Sequence, residues 1–483
     1  MNKETKKNRR AKARAAREKK APKSYPIVHP NAAGIDIAVS SELWVAVGEH
    51  ASPKPVRSFS PFTAGLRKLC GWLKECRVDT VAMEATGVYW LNLYLALREA
   101  GFEVVVVNPR CVKNLQRKSD ISDCQWLRYL HSVGLLRASF VPPEQILALR
   151  TLSRHRENLI RTAGEHVQRM QKALDEMNLH LHHVIDDVTG ASGRAIIEAI
   201  LQGERDPRRL AALRHRNVRA SAEKIEQALD GRWDEQLLFV LQQEYQSWNH
   251  LQEQIARCDQ KLMERAEKLP VELSEEALGQ IAAREQQQNA PGAKRRRPSR
   301  SKNQPGLDPH QWQKRLHMLL GVDLTRTPGI SILTVICLLC ELGTDWRCFP
   351  SAAHFASWLG LCPDNRISGG KVLRRSTRTV QHRVRNILKM AAQSLHGSKS
   401  HLGDQYRRMR GRLGPAQANT AMAHKLARIL WHQMAHKVAY DESFLAALDA
   451  HQEQRRKNTL HKQAAKLGFR LVPLDPQDTD KAA

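Results

Sequence analysis

Four carboxylates stand out by where they fall in the chain. Asp36 lies inside the apolar run Gly34-Ile35-Asp36-Ile37-Ala38-Val39, where a charge is costly unless it is paired or bound to a cation. Glu84 closes the run Thr80-Val81-Ala82-Met83-Glu84, just before Ala85-Thr86-Gly87. Asp120 and Asp123 are three apart at the start of a helical pattern, so they project from one face. Strand ends and helix starts of an α/β sheet meet at one edge, and four carboxylates there repel unless a divalent cation neutralises them. Oxygen donors without His or Cys favour Mg²⁺, or Mn²⁺, over zinc. Two such ions about 4 Å apart stabilise the entering and leaving oxygens of a phosphoryl transfer. A plainer reading of Asp120 and Asp123 is that they cap the helix.

The second candidate is Ser368, in Arg366-Ile367-Ser368-Gly369-Gly370-Lys371. The glycines let backbone approach a phosphate and leave the hydroxyl unobstructed. Residues 366–385 hold seven Lys/Arg and no acid. A serine hydroxyl needs a base, a metal or strong positive charge to act as a nucleophile, and no His adjoins it in sequence. Ser-Gly-Gly can equally be a turn, and Ser192-Gly193-Arg194 competes for the role while reading as a helix start. His180, His182, His183, Asp186 and Asp187 suggest a metal, but their spacing follows no helical face. Cys337 and Cys340 have no second pair to complete a zinc site and read as core.

The elements that must position these groups begin at residue 26. Paired runs at 34–39 and 43–47 read as a hairpin, followed by a helix near 63–75 and strands at 80–84 and 103–107. Helices are expected at 88–99 and 122–133. This alternation predicts a mixed or parallel sheet covered by helices over residues 26–143. Residues 144–268 are rich in Leu, Ala, Glu, Gln and Arg and read as long, coiled helices. Residues 269–311 lose periodicity and read as a flexible basic insertion. Residues 312–447 are helical again, with Thr327-Pro328-Gly329-Ile330 as a tight turn able to offer N–H groups to a phosphate. Residues 1–25 form a basic arm expected to be disordered, and 448–483 a tail.

The 483 residues carry 77 Lys plus Arg against 49 Asp plus Glu, a net charge of +28, which implies a polyanion partner. The longest apolar stretch falls far short of the roughly 18 residues that span a bilayer. No apolar core follows the basic start, so neither a signal peptide nor a membrane role is expected. Nine scattered cysteines suit a reducing cytosol. Nucleic acid is the expected partner.

At these residues the sequence resembles transposases of the insertion sequence 110 family, and most of all its 1111 subgroup. The resemblance is carried by Gly34-Ile35-Asp36-Ile37-Ala38, Met83-Glu84-Ala85-Thr86-Gly87-Val88-Tyr89-Trp90, Val107-Asn108-Pro109 and Arg117-Lys118-Ser119-Asp120-Ile121-Ser122-Asp123. Downstream it continues through Gly134-Leu135-Leu136, Val141-Pro142-Pro143, Thr327-Pro328-Gly329-Ile330, Ser357-Trp358-Leu359-Gly360-Leu361-Cys362-Pro363, Ser368-Gly369-Gly370-Lys371 and Ala423-His424-Lys425-Leu426-Ala427. It implies a RuvC-like, RNase H-type domain with an acidic quartet of Asp36, Glu84, Asp120 and Asp123 as metal ligands. It also implies a helical C-terminal domain, with a helix-hairpin-helix-like turn, whose catalytic serine is Ser368. Arg117, Lys118, Arg366, Lys371, Arg374, Arg375 and Arg378 are the expected nucleic-acid contacts. The implied activity is DNA recombination through a transient phosphoserine–DNA link, guided by an element-encoded structured RNA that pairs with donor and target DNA. A homo-oligomer, dimer or tetramer, in a bacterial cytoplasm at the nucleoid is implied as well. A metal-dependent junction nuclease using water would need the quartet but not Ser368. A non-catalytic nucleic-acid-binding relic would have lost a carboxylate, and all four are present.

Overall fold

The computed structural model describes residues 25–37, 42–109 apart from 86 and 88, 119–271, 306–442 apart from 370, 375, 379 and 381, and a few isolated positions elsewhere. Nearly all of the basic arm, most of the insertion and most of the tail, with Arg117, Lys118 and Arg375, therefore lie outside the described residues. Two units are distinguished, Met1–Val141 and Pro142–Ala483.

The first unit is built on a five-stranded sheet. Its strands are β1 (Ala32–Ile37), β2 (Leu43–Ala46), β3 (Val56–Phe59), β4 (Thr80–Glu84) and β5 (Glu103–Val107), in the spatial order β3-β2-β1-β4-β5. β1 pairs antiparallel with β2, and β2 with β3; β1, β4 and β5 run parallel. Helices α1 (Thr63–Glu75) and α2 (Trp90–Glu99) belong to the crossovers, and α3 (Asp120–Ser132) follows β5. Side chains alternate along each strand. Ala33, Ile35 and Ile37 of β1 join Val81 and Met83 of β4 in one core with Leu69, Leu73, Leu93 and Leu97 of α1 and α2. The opposite face packs Ala82 and Val107 against Leu127 of α3. The mixed α/β sheet is as the alternating pattern predicts. The edge strand β3 is an addition: Pro53, Pro55 and Ser58 mask its alternation, and its burial is only partial.

Among the described residues the second unit is helical apart from one hairpin. Helices α4 (Glu144–Glu176) and α9 (Glu235–Glu267), of 33 residues each, lie antiparallel, as the pairing of Arg156 with Asp259 and of His166 with Glu244 requires. Each is about 50 Å long at 1.5 Å per residue. Between them α5 (Leu181–Val184), α6 (Ala191–Leu201), α7 (Pro207–Ala212) and α8 (Ala222–Ala228) close a core that includes Met170, Leu174, Ile196, Ile197, Leu210 and Leu241. The spacing predicts long helices here; the four short ones break at Gly190, Pro207 and Ser221, which turn or cap the chain.

After the insertion come α10 (Pro309–Leu320), a 3₁₀ turn (Leu324–Arg326), α11 (Ile332–Leu342) and α12 (Ala352–Trp358). The hairpin of β6 (Arg366–Ser368) and β7 (Lys371–Arg374) precedes α13 (Arg383–Ser394), α14 (His401–Leu413) and α15 (Pro415–His436). Trp312, Phe355, Leu388, Met422 and Leu426 are fully buried here. No helix among the described residues is long and apolar enough to cross a membrane.

Candidate active site

The sheet register brings Asp36 and Glu84 together. Ile35 lies opposite Met83 across the parallel β1–β4 pair, so the next residues along, Asp36 and Glu84, are neighbours on one face. That face, shared with Gly34 and Ala82, is the one α3 covers. The close approach depends on Gly34. A Cβ there would overlap the backbone of Arg128 and stand 2.5 Å from the Cys124 carbonyl oxygen. Any side chain at position 34 would push the helix off the strand.

Capping does not consume the helix carboxylates. Ser119 is the N-cap, its hydroxyl accepting the Ser122 N–H at 3.2 Å while the Ser122 hydroxyl accepts the Ser119 N–H at 3.1 Å. Asp120 is thereby left exposed and Asp123 half-buried at the first turn. The plainer reading of these two as capping residues is set aside.

Asp36 feels the charge of the other three groups. Burial, and then the charges of Glu84, Asp123 and Asp120 in that order, raise its carboxyl from 3.8 to about 6. The charges acting on it are all carboxylates, while one backbone N–H offsets them in part. The same crowding helps push the Cys124 thiol, raised chiefly by burial, to about 12. Among the described residues no group of three or more His, Cys, Asp or Glu side chains is close enough to cage an ion. The donors are nonetheless of one kind. Hard, anionic, mutually repelling oxygens at the carboxyl end of parallel strands fit a divalent cation such as Mg²⁺ or Mn²⁺.

Ser368 ends β6 and pairs with Lys371 of β7 across a two-residue turn. Gly369 adopts φ +55°, a left-handed conformation that favours glycine. The hydroxyl-bearing residue is exposed, and a bulge between Arg366 and Ile367 twists the ribbon. The base of the hairpin is clamped. Pro363 bridges to Thr377, and the Asp364 N–H donates to the Ser376 carbonyl at 2.7 Å. Arg385 of α13 donates to the Arg378 carbonyl at 2.8 Å and to the Thr377 hydroxyl at 3.2 Å. Arg378, expected to meet nucleic acid, donates to the carbonyl of Ser357. Arg366 lies on β6, and Lys371 and Arg374 lie on β7. Arg385 was not singled out in the sequence; it works through tertiary contacts, and nothing local distinguishes it from its six basic neighbours.

The competing readings resolve into structural roles. The Ser192 side chain is buried, and its hydroxyl accepts the His215 N–H at 2.8 Å. His180 and His182 both lean on Asp175, at 3.3 and 3.4 Å, while Asp187 holds the Thr189 N–H at 3.1 Å. Cys340 is buried on α11 and its thiol is pushed up to about 12, far from the thiolate a zinc site needs. The turn at 327–330 is inward-facing. The Thr327 hydroxyl donates to Gln433 at 2.9 Å, and a Cβ on Gly329 would stand 2.8 Å from the Ala391 carbonyl.

Each of these two regions matches known proteins. Residues 33–179 match a family model described as Transposase, DEDD_Tnp_IS110. Residues 323–407 match the Transposase IS116/IS110/IS902 family. A Sinorhizobium fredii protein that bears a transposase name, y4pF/y4sB, is 32% identical over 126 residues, which cover 25% of this chain and 32% of that protein. The match thus spans about a third of the length of this curated relative. One match thus lies on the sheet that bears the carboxylates and another on the region that bears the serine hairpin, and both are to transposases of the IS110 family.

Proposed function

We propose that the protein is a transposase that cuts and rejoins DNA strands, with Asp36, Glu84, Asp120 and Asp123 holding Mg²⁺ or Mn²⁺ and Ser368 as nucleophile. The observation that carries the reading is that the charges of three other carboxylates, Glu84, Asp123 and Asp120, all bear on the half-buried Asp36. A cluster of like charges in a half-buried site opposes folding unless a cation joins it. A bound divalent cation would stabilise the charge that develops on the phosphoryl oxygens during transfer.

The chain's own residues have separate tasks in this scheme. Gly34 and the Ser119–Ser122 cap fix the start of α3, and so aim Asp120 and Asp123 at the strand carboxylates. The clamped hairpin presents the Ser368 hydroxyl at an exposed strand end. Its Oγ forms a bond to phosphorus as the bond to the leaving deoxyribose oxygen breaks; the serine proton departs, and the leaving oxygen gains one. The resulting phosphoserine ester keeps the bond energy that rejoining needs. Donor and target DNA are the substrates, a structured RNA encoded by the element is the guide, and the working form is a dimer or tetramer.

The deciding experiment is a trapping reaction on DNA from the flanks of the gene, in Mg²⁺. Wild type should give protein covalently joined to a DNA end, and Ser368→Ala none. Cleavage by Ser368→Ala at the wild-type rate, with no adduct in either protein, would favour a junction nuclease that uses the quartet and water.

A further inference from the structure

The hairpin that carries Ser368 also carries two large apolar side chains in the open. Ile367 is 63% exposed and Leu373 70% exposed. The hairpin is a sheet of only two strands, and such a ribbon is marginal in water without a partner surface. Its base is tied down by Arg385 and the Pro363–Thr377 bridge, so the exposed end is held out on a clamped stem. Ile367 adjoins Ser368 in β6 and therefore faces the other side of the ribbon. Arg366 pairs with Arg374 and Ile367 with Val372, which makes Leu373 the extra residue of the bulge, turned out of the ladder.

We propose that Ile367 and Leu373 form an apolar wedge that presses between bases of the DNA beside the phosphodiester offered to Ser368. The inference rests on the functional reading above and adds a residue-level role to it. Charge selects the occupant. Residues 366–385 contain seven Lys/Arg and no Asp or Glu. Arg383 is paired with Glu157 and Glu341, and Arg378 and Arg385 donate to the hairpin's surroundings, but the hairpin segment itself brings no acid. A protein docked there would have to supply carboxylates where a nucleic acid already carries phosphates. Phosphates offer nothing to Ile or Leu, but base faces and thymine methyl groups do. A two-stranded ribbon fits a DNA groove, and apolar side chains inserted at a base step unstack and kink it. Opening the stack next to the scissile bond would free the backbone to swing toward the serine.

The test uses the full chain with its element-encoded RNA and DNA duplexes from the gene's flanks carrying 2-aminopurine at single steps around the cleavage point. Binding should brighten the probe at one step through loss of stacking. Ile367→Ala/Leu373→Ala should abolish the brightening and weaken binding about tenfold at every salt concentration, leaving the log–log salt slope unchanged because no phosphate contact is lost. Ile367→Val should restore most of the signal. Ser368→Ala should keep the brightening while losing the covalent adduct, which separates the wedge from the nucleophile. If wild type forms no adduct but the signal still depends on Ile367 and Leu373, the wedge stands and the serine reading falls. Brightening unchanged in the double variant overturns the wedge, as does a double variant whose only defect is loss of self-association, since a second copy would then cover the patch.

Discussion

Gly34 of β1 lies directly beneath Cys124 of α3, so close that a Cβ would stand 2.5 Å from the Cys124 carbonyl oxygen. The contact sets the distance between the strand that carries Asp36 and the helix that carries Asp120 and Asp123. Gly34→Ala should therefore lift α3. Overpacking of this kind typically costs about 1–3 kcal/mol, so a lower melting temperature is expected with the fold retained. Cleavage should fall far more than stability does. A Gly34→Ala protein that cuts DNA at the wild-type rate would show that the helix carboxylates need not be so placed.

The like-charge cluster makes a prediction about metal. Asp123→Asn removes one of the three carboxylates that raise the Asp36 pKa. Without metal this variant should be as stable as wild type or slightly more so, because repulsion is relieved. Added Mg²⁺ should raise the wild-type melting temperature, as any ligand bound only by the folded state does, and should raise that of Asp123→Asn much less. Equal shifts in calorimetric scans would place the ion elsewhere.

These two relationships differ in how far the sequence exposes them. A charged residue inside an apolar strand is visible in one dimension, and so Asp36 and Glu84 could be picked out. Strands β4 and β5 and helix α1 were also legible, because apolar spacing and Pro or Gly boundaries coincide there. Helix α3 starts two residues before the apolar spacing suggests, since Ser119 caps it with a Ser rather than a Glu or Gln three residues on. The need for glycine at position 34 was hidden, because it arises from a contact with a helix some 90 residues away in sequence. Arg385 was hidden for the same reason. Its partners become neighbours only when the hairpin folds back on α13.

The long coil offers a test of folding energetics. Asp259 is fully buried on α9, paired with Arg156 of α4, and its second oxygen accepts the Gly306 N–H at 3.2 Å. Burial raises the Asp259 carboxyl and the guanidinium opposes that rise, so the pair survives only intact. Asp259→Ala would strand a buried arginine and should cost about 3–5 kcal/mol in denaturant unfolding of the second unit. Replacing both, as Arg156→Met with Asp259→Leu, should recover most of that loss. Loss in the double variant as large as in the single one would assign Asp259 a role beyond pairing, with the Gly306 N–H the first candidate.

A buried histidine gives the first unit one pH dependence, opposite in sign to that of the raised Asp36 carboxyl. The His131 ring lies under the sheet with Nε2 2.9 Å from the Thr80 hydroxyl, and His29 stacks on it at 5.0 Å. Burial, and then the charge of His29, lower its pKa from 6.5 to about 4. The folded state thus resists protonation that the unfolded chain accepts. Above pH 6.5 His131 is neutral in both states and makes no difference. Between 6.5 and about 4 the unfolded chain binds the extra proton, so stability falls with falling pH, and below about 4 the loss is complete. At about 1.4 kcal/mol per pKa unit, the full loss is on the order of 3 kcal/mol. His131→Gln keeps a hydrogen-bonding group beside Thr80 but cannot titrate. Its stability relative to wild type should therefore improve steadily as pH drops from 6.5 toward 4 and stay level above 6.5. Parallel stability curves for the two proteins across that range would mean that His131 is protonated as readily in the fold as out of it.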